Sequence, residues 1–250
     1  MSAHGLTQRK SLVVARELLV VFIAAAVYWG GRGLTEGSEA LAIENGLRVV
    51  DLEKALGIFW EMRMQDAIHD SDVLVTLANW VYIYGHWPVI FGIAAWAFVR
   101  HPNAYFLTRN AFLMSGLIGL VVFVVFPVAP PRLLDIGFID TVTERSESYR
   151  LLQPPSLTNQ YAAMPSLHFG WDLLVGIVLV RRAGLLPFRI AGVVLPGAMV
   201  LAVVVTANHY ILDAVAGGSL ALIALGICWY VRPLGPGWLW EHGKRWGPPR

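Results

Sequence analysis

The chain has 250 residues, of which 56% are hydrophobic and 14% charged, with a mean hydropathy of +0.58. Soluble domains carry about 25% charged residues, so this composition excludes an ordinary soluble protein and indicates one all-α integral membrane domain over 1–250. The net charge of +2 gives no reason to expect nucleic acid as a partner. The single Cys228, inside an apolar run, excludes an intramolecular disulfide and a cysteine metal cluster.

Six apolar segments are long enough to be read as spans, at about 11–30, 73–99, 108–128, 167–181, 187–207 and 209–231. The first follows Arg9 and Lys10 without a small-residue cleavage site, so a retained helix is expected rather than a signal peptide. With the N-terminus inside, 12 of the 19 basic residues fall on the inner side and 13 of the 17 acids fall in two long outer loops. The expectation is a six-helix bundle with both termini cytoplasmic.

The first outer loop, about 31–72, mixes Leu41, Val50, Leu52, Leu56, Phe59 and Trp60 with charges at near-helical spacing. This predicts an amphipathic helix lying in the membrane interface, with plain surface packing as the competing reading. The second, about 129–166, opens on Pro130-Pro131-Arg132 and runs through Pro154-Pro155, prolines that stiffen it at both ends. Ser166 is placed to cap the next helix. The tail, about 232–250, rich in Trp, Pro, Gly and basic residues, suits a cytoplasmic interfacial anchor.

Two histidines stand where an outer loop meets an apolar segment, each with an aspartate four residues on: His168 with Asp172, and His209 with Asp213. That spacing puts each pair on one helix face. A carboxylate bonded to one ring nitrogen fixes the tautomer and leaves the other nitrogen basic, as a nucleophilic imidazole requires. A structural interfacial histidine is the alternative at His209. His168, in the first turn of its helix, lies beside unpaired amides that favour an anion such as phosphate. Arg132 offers a planar fork for two phosphate oxygens, or is an ordinary positive residue at a membrane edge. Spacing does not decide which imidazole attacks. His86, within the second expected span, is read as a hydrogen-bonded structural residue or a substrate contact. Gln160 and Tyr161 are candidates for lining a headgroup pocket.

At these residues the sequence resembles the type 2 phosphatidic acid phosphatase superfamily, and within it the branch containing fungal inositol phosphorylceramide synthase. The motif Pro-Ser-Gly-His appears as Pro165-Ser166-Leu167-His168, and the end of Ser-Arg-x5-His-x3-Asp as His209-Tyr210-Ile211-Leu212-Asp213. The resemblance implies that His209 is the nucleophile, oriented by Asp213, and that His168 protonates the leaving group. Ala202 and Val203 replace the Ser-Arg pair, Val125 stands where the first motif's lysine would fall, and Pro131-Arg132 reverses that motif's Arg-Pro. The phosphate contacts are therefore expected from Arg132, with Ser166 and Asn208.

The activity implied is transfer of a phosphoryl group or phospho-headgroup from a phospholipid or polyprenyl phosphate, through a phosphohistidine, to a polyol or other alcohol. Hydrolysis at the same site is the near alternative. No metal or other cofactor is expected. A proton-coupled transporter and an inactive lipid-binding scaffold are the rivals from other classes, the first weakened by the clustering of these groups at one membrane edge.

Overall fold

The computed structural model describes residues 3–34, 39–145 and 160–231. Ten α-helices are found among them: α1 (Ala3–Leu34), α2 (Glu39–Leu56), α3 (Glu61–His69), α4 (Asp72–Tyr84), α5 (Trp87–Arg100), α6 (Pro102–Val125), α7 (Thr141–Arg145), α8 (Leu167–Arg182), α9 (Leu186–Val205) and α10 (Ile211–Val231). Pro154-Pro155 and the basic tail lie outside the described residues.

Four helices are long and apolar enough to cross a membrane: α1, α6, α9 and α10. The expected second span is not one straight helix. It breaks at Gly85-His86 into α4 and α5, bent by 44°, and the two together make a fifth candidate. The break has a local cause, because Pro88 in the first turn of α5 has no N–H for a helix running through from α4. The fourth expected segment, α8, has 16 residues, roughly 24 Å at 1.5 Å per residue, which is short against a hydrocarbon core of about 30 Å.

That short helix is nonetheless the centre of the bundle, packed by α9, α10, α6 and α5. Trp171 anchors it: the ring stacks on Phe112 at 4.4 Å, meets Trp87 at 5.6 Å and Tyr28 at 5.4 Å, and its Nε1 donates to Ser115 Oγ at 3.2 Å. The indole thus buries its area while its polar atom finds a partner. Helix α1 attaches to α6 by a buried polar contact, with Glu17 accepting from Tyr105 Oη and pairing with Arg109 Nε, both at 2.9 Å.

The first outer loop is helical, as its periodicity predicts, but it builds a cap over one end of the bundle. The inner face of α2 (Ala42, Val49, Val50) packs with Val128, Ala129, Leu134 and Tyr210. Polar side chains on the capping helices and on α4 bond loop backbone: Asn45 Nδ2 donates to Pro127 O, Gln65 Nε2 to Ile139 O, and Asn79 Nδ2 to Thr141 O, each at 2.9 Å. Irregular backbone buried away from water needs such partners. The outer face of α2 still exposes Leu41, Leu52 and Leu56, followed by Trp60.

Candidate active site

The site forms where three loops meet under this cap. Residues 126–130 run beside 161–163, joined by Val128 N to Tyr161 O at 2.9 Å and Ala163 N to Val128 O at 3.2 Å. Arg132 N donates to Ala207 O at 3.0 Å, which ties in the α9–α10 turn. That turn is tight because α9 ends in a Schellman arrangement: Ala207 N bonds Val204 O and Asn208 N bonds Val203 O. Ala207 occupies its left-handed position at φ 54°, at a cost of about 1 kcal/mol for a residue with a Cβ. The next residue is His209.

His209 is 5% exposed. Its Nδ1 faces two acceptors, Ala163 O at 2.8 Å and Asp213 Oδ2 at 3.3 Å. With acceptors on that side, the hydrogen-bond network assigns the proton to Nδ1 and the lone pair to Nε2. Asp213 Oδ2 also accepts Tyr210 N at 3.0 Å, so one carboxylate orients the imidazole and caps the start of α10.

His168 lies in the first turn of α8, behind Ser166, whose Oγ accepts Phe169 N as the helix cap and whose N donates to Asp213 O at 2.9 Å. The His168 ring centre is 5.7 Å from that of His209, 4.9 Å from Tyr82 and 4.6 Å from His86. The two motif histidines, 41 residues apart in sequence, therefore share one small volume.

Asp172 departs from its expected pairing. Its Oδ1 bonds His86 Nδ1 at 2.8 Å, with both side chains buried. The helix break is the reason, since it brings His86 into the interior, stacked on Trp171 with 5° between the planes. The i+4 spacing from His168 aligned Asp172 with the right face but did not reveal the competing imidazole from α5. Further along α8 the buried positions turn apolar, through Leu174, Val175, Val178 and Leu179.

Arg132 Nε donates to Asn208 Oδ1 at 2.9 Å and Nη1 pairs with Asp140 Oδ2 at 3.2 Å. Asn208 is thus occupied, its Nδ2 donating to Thr206 Oγ1 at 2.9 Å. It holds the guanidinium in place rather than presenting its amide outward. Tyr161 packs on the cluster under α2, and Gln160 is partly exposed beside it. Val203, at the family's missing arginine position, is fully buried in apolar packing.

Sequence reasoning missed the groups that hold α10 from outside. Ile211 N donates to Glu61 Oε1 at 2.9 Å and Leu212 N to Glu53 Oε1 at 2.8 Å. The available signal was Glu53 on the same face of α2 as Asn45 and Val49, at i+4 spacing. Tyr210, with its hydroxyl donating to Ala129 O at 2.8 Å, holds its proton well above the ordinary phenol range because of burial and then the nearby Asp213 carboxylate.

The fold and site define a helical membrane protein with paired histidines, an orienting carboxylate and an arginine at one end of its bundle. Residues 47–227 match the family model of the PAP2 superfamily, and the chain belongs to that superfamily. No curated protein and no solved structure matches it. Membership makes it an enzyme of the phosphatase and phosphotransferase class acting on lipid-like substrates.

Proposed function

We propose that the protein is a lipid phosphotransferase of the inositol phosphorylceramide synthase-like kind, working through a phosphohistidine at His209. The observation that carries this reading is the His209 imidazole, fixed by Ala163 O and Asp213 with Nε2 left basic, 5.7 Å from the His168 ring. In the first step Nε2 of His209 attacks phosphorus of a phospholipid or polyprenyl phosphate. The bond to the leaving oxygen breaks, and that oxygen takes a proton from the His168 imidazolium. In the second step an alcohol hydroxyl attacks, its proton passes to His168, and the P–N bond to His209 breaks. Nη2 of Arg132, which has no protein partner among the described residues, is the charge that meets the phosphate oxygens. The Asp172-bound His86 backs His168. All of these groups are side chains, so the scheme uses no cofactor.

Transfer is favoured over hydrolysis by the roof that α2, α3 and residues 127–134 place over His209, since a site that admits an alcohol must restrict water. Phosphatase activity, which the superfamily also includes, is the second reading. The reading includes six membrane crossings, with α8 as a short central one and α2 against the interface by its exposed leucines. Arg109 lies near the start of α6, while Arg181 and Arg182 close α8. In both helices the opposite end leads to the site, which under the positive-inside rule supports a site on the extracytoplasmic face.

The test is incubation of purified protein with a panel of lipid phosphates and phospholipids, with and without polyol acceptors. Transfer of the phosphoryl group or phospho-headgroup onto the acceptor, lost in His209→Ala, is the expected outcome. Free phosphate alone, whatever the acceptor, would replace transferase with phosphatase.

A further inference from the structure

Two glutamates in the first outer loop converge on the N-terminus of α10 from separate helices, 150 and 159 residues away in sequence. Both are fully buried. Each uses Oε1 to accept a backbone N–H in the first turn of α10, and each leaves Oε2 without any donor from another residue. The amides they bond belong to consecutive residues, so the two buried carboxyl groups come together at one turn, each with an unpartnered oxygen. Two ionised carboxylates, both acceptors only, cannot satisfy each other there, whereas a hydrogen on one lets it donate to the other. A metal ion is the usual alternative for buried acid pairs, but no group of three His, Cys, Asp or Glu side chains among the described residues is set to hold one.

The geometry points to Glu53 and Glu61 as a shared-proton clamp that positions the nucleophile-bearing turn, with one carboxyl neutral and the other ionised. Functionally it rests on His209 as the attacking group. The clamp grips Ile211 and Leu212, two and three residues past His209, and so sets where the imidazole stands against His168. The ionisable groups facing the pair are Asp213 and Tyr210 on the α10 side, with His209 beyond Asp213. No lysine or arginine is among them to offset a second ionisation. Burial, then the neighbouring Glu61 carboxyl and the field of Asp213, push Glu53 up to about 9, so the proton stays on it through the neutral range. As positioning residues these glutamates touch no substrate.

A shared proton has a signature that ordinary capping lacks. In Glu53→Gln the amide oxygen still accepts Leu212 N and its NH2 donates to Glu61, and Glu61→Gln is the mirror case. The double glutamine variant sets two donors against each other. The experiment measures kcat and KM for both single glutamine variants, the double glutamine variant and Glu53→Ala, with His209→Ala in parallel. Each single glutamine variant is expected to keep kcat within about threefold, while the double variant and Glu53→Ala lose about tenfold or more with KM little changed. A double variant as active as the singles would overturn the inference, as would single variants as damaged as Glu53→Ala.

A second measurement stands apart from catalysis. Between about 4.5 and about 9 the folded protein keeps a proton on Glu53 that the unfolded chain has released, so stability falls as pH rises through that window. The melting temperature in detergent should fall with pH in the wild type and fall less steeply in Glu53→Gln. Equal slopes would overturn the clamp. If His209→Ala instead stays active, the nucleophile assignment fails while the melting data still judge the shared proton.

Discussion

At the scale of single residues the site works by constraint. His209 cannot rotate or change tautomer without giving up Ala163 O or Asp213, and Asp213 cannot move without releasing Tyr210 N. Arg132 is held as firmly, by Asn208 on one donor and Asp140 on another. Lysine brings one compact ammonium where the guanidinium bridges two protein acceptors and, in the proposed scheme, keeps a further donor for the phosphate. Arg132→Lys is therefore expected to lower kcat/KM by about 10- to 100-fold, the range implied by losing a charge-assisted hydrogen bond of roughly 1.5–3 kcal/mol. Steady-state kinetics on the best substrate of the lipid panel measures it, and a change under twofold would remove Arg132 from the phosphate contacts.

At the scale of helices, the distance between the two histidines is set by how closely α8 and α10 approach. Their backbones touch at Gly170 and Gly217, where a Cβ on Gly170 would sit 2.6 Å from Gly217 O and one on Gly217 would collide with the Ser166 carbonyl. Ser166 is the cap of the helix that carries His168, so a methyl group at 217 pushes directly on the site. Gly217→Ala should cost about 1–3 kcal/mol through overpacking, read as a lower melting temperature in detergent, and should reduce kcat with it. Gly226→Ala, on the same helix with open space at its Cβ, is the control. It should be neutral or stabilising, by up to about 1 kcal/mol. Equal effects at the two positions would mean that close approach at Gly217 does not set the geometry.

At the scale of the molecule, what was legible in sequence was whatever a local pattern encodes. Long apolar runs located α9 and α10 to within two residues and found α1 and α6, whose polar first turns lie ahead of the expected starts, and Ser166 marked the start of α8 because capping is decided by one side chain and the amides next to it. The break at His86 was written in Gly85 and Pro88, yet apolar residues on both sides hid it. The cap was harder to read for a physical reason. Asn45, Glu53, Glu61 and Gln65 are polar, and polarity on an outer-loop helix reads as exposure to water. Their partners are backbone groups from 74 to 159 residues away, and spacing along a helix carries no trace of them. The pairing of Asp172 with His86 escaped in the same way.

The account depends on His209 forming a covalent bond to phosphorus. Its most direct test is to react the protein with phosphorus-labelled lipid phosphate, quench under alkaline conditions and map the label. The label should be acid-labile and alkali-stable, sit on His209, and vanish in His209→Ala. Label on His168 or any other residue, or label retained in His209→Ala, would contradict it.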